Sequence, residues 1–543
     1  MAAPVAPGTA GRVITVPGRG GARSLFRHPA RRRLAEAAWG SGVVLLAALA
    51  CVPFLYTCIP VDEGIWLGAA MKLSAGQRLY ADIFEFLPPL SFLVTAGWLG
   101  AFGTTLVAAR CLTALLVAGT AGLTFLSCRR SGASRPVAAS CALLWVVCSQ
   151  GDWTQLNHHW MTTFLSMAAA WAALSTVGAG HPCRRWAWAA GLAAGTAAMV
   201  TPHSGGLVGL ACLAVFGSGR HRAREAGSFL LGGATVPLAM LAYLGAEGVL
   251  PDAFQDVIVH TVTQYSSIQH LPYGAFTEVQ SLPMAVAPPL SVAFILLLLA
   301  REAKAMARDR VLLGCAAFAL SGVLVLYPRA DRAHLGFVLP LVLPLAAYGL
   351  TGLLRQAPAV VRRATVCVLA AACLPSAAQF GLLAAHDARL ATAETPAGRV
   401  AFIDNGGETQ AIIGRLASLP AADRVFFYPY SPMLPFLTGR QQVSRFDLMT
   451  PSYTTPAQFE EICRSVTAGA DWVVFDHFWA DPQQLRLIYP SIPDASPPEV
   501  RRFEAILAAG FEPHARQGRY ELRKRSPGAP AGGCDGLSAA RPG

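Results

Sequence analysis

Charged side chains are scarce in this chain: they make up 14% of its 543 residues, against 54% hydrophobic ones, and the mean hydropathy is +0.45. A water-soluble core of this size does not need so much apolar surface, so the expected solvent is the bilayer. Zinc-type ligand spacing is also missing, since no Cys-x-x-Cys pair occurs. Most of the 13 cysteines sit inside apolar stretches (Cys51, Cys111, Cys141, Cys212, Cys367), where a thiol behaves as a small buried hydrophobe. Only Cys463 and Cys534 lie in the polar C-terminal part, which leaves a disulfide between them open. That part carries no P-loop, no Ser-His-Asp arrangement and no metal signature. Internal repeats and charges in the middle of apolar runs, both expected of a transporter or flippase, are lacking. The Arg-rich N-terminus has no clear small-residue cleavage site, and its first apolar stretch is longer than a signal-peptide core, so it reads as a retained helix.

What is present is a series of apolar stretches of roughly 17 to 25 residues, the length that crosses about 30 Å of hydrocarbon. Eleven spans are expected, at 37 to 59, 106 to 128, 134 to 150, 160 to 178, 186 to 201, 204 to 218, 226 to 246, 283 to 300, 311 to 327, 333 to 354 and 364 to 384. The stretch 186 to 218 reads as two helices around Thr201-Pro202-His203, because a single kinked helix would put the later basic clusters outside. Formal charge is +12, but its excess lies before residue 386, in short connections between spans such as Arg129, Arg130 and Arg135 or Arg301, Lys304, Arg308 and Arg310. That is the positive-inside pattern; nucleic acid is not implied. The N-terminus is thereby expected in the cytoplasm and the C-terminal part outside. Acidic residues gather on the outer face, although acids contribute little to topology, so chemistry is expected there.

Three constellations on that face could carry it. Asp62 and Glu63 follow the first span, where a partly desolvated carboxylate can take a proton from an attacking hydroxyl; Asp62 could equally cap the helix that starts at Glu63. Lys72 and Arg78, in the same loop, could hold a phosphate. Between the third and fourth spans come Asp152, Asn157, His158 and His159, candidates for binding an acceptor or a divalent ion, although adjacent histidines diverge on a helix. In "YPRADRAHL", Arg329, Arg332 and His334 break the positive-inside pattern, and arginine forks suit phosphate oxygens; lipid anchoring or a salt bridge to Asp331 is the plainer reading. Tyr265, Tyr273 and Glu278 lie in a further external loop and receive no role, because external aromatics commonly anchor at the interface.

An Asp-Glu pair after the first span, then "GQRLYAD", the Pro88-Pro89 pair, a short aromatic-rich helix, "FG" and "AAR" resemble the C-type (GT-C) membrane glycosyltransferase superfamily. The resemblance is to its bacterial branch of aminoarabinose transferases, protein O-mannosyltransferases and rhizobial lipopolysaccharide galacturonosyltransferases. It covers the first 130 residues well and afterwards rests on the helix count, "YPRADRAHLGFVLPLVLPLAAYG" and "FFYPYSPMLPFLTGRQQVSRFD". It implies transfer of a sugar from a polyprenyl-phosphate donor to a cell-envelope lipid, glycan or protein on the non-cytoplasmic side, with inversion. It also implies that Asp62, with Glu63 beside it, acts as base or orients the acceptor.

The expected architecture is mainly α: a polytopic transmembrane helical bundle with a C-terminal extracytoplasmic α/β domain. Its parts are a basic cytoplasmic arm at 1–33, a membrane module at 34–385 with its first external loop at 60–105, a soluble unit at 386–525 and a disordered tail at 526–543. In the soluble unit "DRVFFYPY", "DWVVFDHFW" and "GRYELRKR" read as strands, and "TPAQFEEICRSVTAG" and "PPEVRRFEAILAAGF" as helices. No cofactor is certain beyond an open question of a divalent metal. A transporter or flippase, or a non-catalytic envelope-assembly protein, is the alternative reading.

Overall fold

The computed structural model describes residues 29–59, 62–150, 153–178, 181–274, 278–404, 407–528 and 532–537. Helix covers most of each expected apolar stretch, but the first, 37 to 59, leaves its helix at Cys51 and ends in a two-residue strand, Thr57–Cys58. In chain order the first half holds α1 (Pro29–Cys51), α2 (Glu63–Ser74), α3 (Leu90–Phe102), α4 (Leu106–Arg130), α5 (Arg135–Gln150), α6 (His158–Ser175), α7 (Arg184–Ala198), α8 (Pro202–Gly217) and α9 (Arg222–Ala246). After the short α10 (Leu250–Phe254), a π-helical segment (Gln255–Tyr265) and α11 (Ser266–Ile268) come α12 (Leu282–Arg308), α13 (Arg310–Val325), α14 (Arg332–Gln356) and α15 (Ala359–Asp387). Among the described residues six segments, beginning with Arg33–Phe54 and ending with Ala359–Asp387, are long and apolar enough to cross a membrane. The chain is an integral membrane protein.

Local chemistry sets where these helices begin. Thr105, Asn157, Asp309 and Asp331 each stand in non-helical backbone and accept a hydrogen bond from the first turn of α4, α6, α13 and α14, satisfying donors that have no partner inside the helix. Pro202 opens α8 at a position where its missing N–H costs nothing. It also separates α7 from α8, so 186 to 218 is two helices.

Small residues decide how closely α7 and α9 pack. A Cβ on Gly191 would lie 1.9 Å from the Phe229 carbonyl oxygen, one on Gly195 2.1 Å from that of Gly233, and one on Gly232 2.2 Å from that of Trp188. Without an aqueous driving force between helices inside a membrane, such backbone approach supplies the dispersion contact that holds them.

The C-terminal part contains two sheets. In the first, β1 (Thr57–Cys58), which follows α1, pairs parallel with β3 (Gly398–Phe402), and β2 (Thr392–Thr395) runs antiparallel to β3. The second has the order β4 (Val425–Tyr428), β5 (Trp472–Asp476), β7 (Tyr520–Arg525), β6 (Phe511–Gln517), parallel only between β4 and β5. Around it lie α16 (Glu408–Ala417), α17 (Met433–Thr438), α18 (Pro456–Gly469), α19 (His477–Ala480), α20 (Pro482–Ile488) and α21 (Pro498–Gly510). Thr455 forms a reciprocal capping box with Gln458 at the start of α18. Strands β4 and β5 are buried along their whole length, which is why they read as unbroken apolar runs.

This part is not separable from the helices before it. Leu67 and Ala70 of α2 share one buried cluster with Val425, Val474, Met433 and Leu437, and a Cβ on Gly64 would lie 2.2 Å from the Pro432 carbonyl carbon. One expectation is corrected among the described residues of the tail: Cys534 is disulfide-bonded to Cys463, and Leu537 is buried in the same apolar cluster. Residues 532–537 are therefore packed, held by a covalent bond that composition does not reveal.

Candidate active site

A cavity of about 300 Å³ opens where α2, α6, the start of α14 and the C-terminal part meet. Its wall includes Asp62, Asn157, His158, His159, Arg329 and His334 from the sequence expectations, and it adds Glu85, Tyr265, Asp331, Tyr430, Trp479 and Tyr489.

Asp62 precedes α2 but does not cap it: its backbone is helical and its side chain makes no capping bond. The Tyr430 hydroxyl donates to its Oδ1 instead. Burial pushes the Asp62 carboxyl above its ordinary value, and the Tyr430 hydrogen bond and the Arg329 charge work against that rise. Glu63, the neighbour, is not in the cavity. It lies fully buried on the other side of the turn, 2.9 Å from the Arg110 guanidinium, and accepts the Leu156 amide at 2.8 Å. Successive residues at a helix start point in different directions, so only one of the pair can face the site.

The phosphate candidates divide in the same way. Lys72 is buried and paired at 2.8 Å with Asp447, tying α2 to the C-terminal part. Arg78 stands on the surface, half-exposed, beside Asp82. Arg332 is bonded to Gln379 of α15 and is absent from the cavity wall. Lys72 and Arg332 are engaged by partners 375 and 47 positions away, which spacing does not show, and Arg78 by Asp82 four residues on. Arg329 remains in the cavity: its Nε bonds Asp331, its Nη1 donates to the Ile488 carbonyl at 2.9 Å, and its guanidinium lies 5.5 Å from the centre of the Tyr489 ring. Asp331 Oδ1 also receives the His334 amide at 3.0 Å and sits 2.7 Å from His334 Nδ1. Burial opposes ionisation of Asp331, but the His334 hydrogen bond and the Arg329 charge hold its carboxyl well below the usual range.

Asn157 is both wall and cap, accepting the Trp160 amide at 3.2 Å. The two histidines after it form part of a ring stack: His158 lies parallel to Trp66 with centroids 5.3 Å apart, His158 and His159 are 3.8 Å apart, and His159 lies parallel to Phe337 at 4.6 Å. Asp152 falls outside the described residues. Among the described residues no group of three or more His, Cys, Asp or Glu side chains is placed to hold a metal ion.

Glu85 is the residue that sequence reasoning passed over as merely external. It is 3% exposed, lines the cavity and forms no hydrogen bond or ion pair among the described residues. Burial, and then the nearby Asp447 charge, push its carboxyl well above the ordinary value, which favours the neutral acid. Tyr430, Trp479 and Tyr489 were missed as well. The signal available for Tyr430 was the segment "FFYPYSPM", whose aromatic-proline run follows a buried strand.

No protein-family model and no curated protein sequence matches the chain. Similarity appears in three dimensions. The crystal structure of ArnT from Cupriavidus metallidurans in the apo state superposes with a TM-score of 0.57 at 14% identity, covering 90% of this chain and 98% of that one. The chain has the C-type glycosyltransferase fold. A second ArnT structure of that fold, bound to undecaprenyl phosphate, matches with a TM-score of 0.55 at 14% identity over 91% of this chain and 98% of its own. The arabinofuranosyltransferase AftD from Mycobacteria matches with a TM-score of 0.52 at 15% identity over 91% of this chain and 40% of AftD. Within the C-type fold, the cavity here is built from both the first loop and the C-terminal part.

Proposed function

We propose that the protein is a membrane glycosyltransferase that moves a sugar from a polyprenyl-phosphate donor to a cell-envelope lipid, glycan or protein on the extracytoplasmic side, inverting the anomeric carbon. The observation that carries this reading is the cavity itself, where the half-buried carboxylate of Asp62 faces the same space as Arg329 and a wall of tyrosine and tryptophan rings. Aromatic faces and a few fixed polar groups suit a sugar. The ArnT complex with undecaprenyl phosphate supports a polyprenyl-phosphate carrier.

Asp62 takes the proton of the acceptor hydroxyl as its oxygen attacks the anomeric carbon. Tyr430 holds one carboxylate oxygen, which leaves the other for that proton. Arg329 offers a cation to the phosphate as the sugar leaves it. Asn157, His158 and His159 line the acceptor side.

Eleven membrane crossings put the N-terminus in the cytoplasm and residues 386–525, as an α/β domain, outside a bacterial inner membrane. Two features support that placement. Basic residues concentrate in alternate connections, and a disulfide of the Cys463–Cys534 kind persists in an oxidising compartment.

The test is release of polyprenyl phosphate from a panel of polyprenyl-phosphate sugars by the detergent-purified protein and its Asp62→Asn variant, with envelope extract as acceptor. Loss of a general base predicts a fall of about 100-fold or more in the variant. Equal turnover by the two proteins would remove Asp62 from the mechanism.

A further inference from the structure

Arg329 is the one lysine or arginine among the described residues of the cavity wall, and it is already paired with Asp331. A polyprenyl-phosphate sugar is a phosphodiester with one negative charge. When the sugar leaves, the phosphate becomes a monoester that carries a second negative charge, unless it takes a proton with a pKa near about 6. The wall also holds the carboxyls of Asp62, Glu85 and Asp331, so a second charge would develop in a site short of cations.

His334 lines the same cavity as Arg329. Asp331 Oδ1 lies 2.7 Å from its Nδ1, and a carboxylate at that distance holds the proton on Nδ1 and directs the chemistry of the ring to Nε2. Nε2 has no hydrogen-bond partner among the described residues, and His334 lines the cavity with Asp62 and Arg329. We propose that His334, oriented by Asp331, is the proton donor to the departing phosphate. This inference rests on the transferase reading of the same site.

The step balances. The bond between the anomeric carbon and the phosphate oxygen breaks with its electron pair on oxygen, and that oxygen takes the Nε2 proton of the imidazolium. The acceptor oxygen forms the new bond to carbon and gives its proton to Asp62. Solvent then carries that proton from Asp62 back to His334, which restores the starting state. His334 works among His158 and His159 of α6, with His203 of α8 in reach of its charge, beside Arg329 and Asp331 at the start of its own helix.

The experiment compares wild type, His334→Gln and Asp331→Asn in detergent, measuring kcat and KM for a polyprenyl-phosphate sugar that wild type turns over, across pH. The proposal predicts that wild-type kcat falls on the alkaline side. In His334→Gln, kcat drops about 100-fold, as loss of an acid catalyst should cause, KM stays within about two-fold, and the alkaline fall disappears while the acid-side limb of Asp62 remains. Asp331→Asn, which can still cap α14, lowers kcat in the same direction. A His334→Gln protein whose loss lies in KM, or whose alkaline fall is unchanged, overturns the acid role and leaves the transferase reading standing. Should His334→Gln not elute as a folded species, an Asp331→Asn variant with wild-type kcat overturns it as well. A wild type inactive on every carrier sugar overturns both readings.

Discussion

Asp62 and Glu63 are adjacent and chemically alike, yet the fold gives them opposite environments: one bonds a phenol at a cavity, the other an arginine inside the packing. The position of a carboxylate pair at a membrane exit was legible in the sequence. Which of the two faces the site was not, because Arg110 and Tyr430 lie 47 and 368 positions away. Tyr430 donates to the ionised form of Asp62 and so counteracts part of the rise that burial causes. Removing the hydroxyl raises the Asp62 pKa further. In Tyr430→Phe the acid limb of kcat/KM should thus move to higher pH, because the base must be ionised to work. A limb at the wild-type position would mean that Tyr430 only packs.

Helix existence was readable from apolar length alone, and the α7/α8 break from Pro202, because both are local properties of the chain. How the helices approach one another was not, since Gly191 and Gly195 look like any small residues until α9 lies against them. Gly191→Leu forces side-chain volume into a place where the Cβ alone would lie 1.9 Å from the Phe229 carbonyl oxygen. Overpacking costs about 1–3 kcal/mol where side chains can yield, and a carbonyl yields less. Thermal unfolding in detergent should show a lower midpoint for Gly191→Leu, whereas Gly206→Leu, at a position with open space around the Cβ, stays near wild type. Strands β4, β5 and β7 were legible for the same local reason; β1 and β3 were not, because a two-residue strand after α1 finds its partner more than 300 residues on.

Across the whole molecule, buried contacts fasten the first loop to the C-terminal part, among them the Lys72–Asp447 pair and the seat of Gly64 on Pro432. The spacing of Lys72 suggested a phosphate ligand, and the fold uses it as an interface pair. Removing one member leaves an uncompensated buried charge at a cost of about 3–5 kcal/mol, while an apolar pair of similar volume is often neutral. Lys72→Met should therefore lower the unfolding midpoint and turnover together, and Lys72→Met/Asp447→Leu should restore both. A double variant that is stable but has lost donor binding would return Lys72 to the phosphate.

The distance along the chain between Asp62 and Tyr430 also has a meaning in time. A ribosome adding about 5–20 residues per second needs on the order of 20–70 s to make the 368 residues that separate them. For that interval the Asp62 carboxylate has no Tyr430 to bond. A chain stopped anywhere before Tyr430 would hold only the part of the cavity wall that comes from the helices and the first loop.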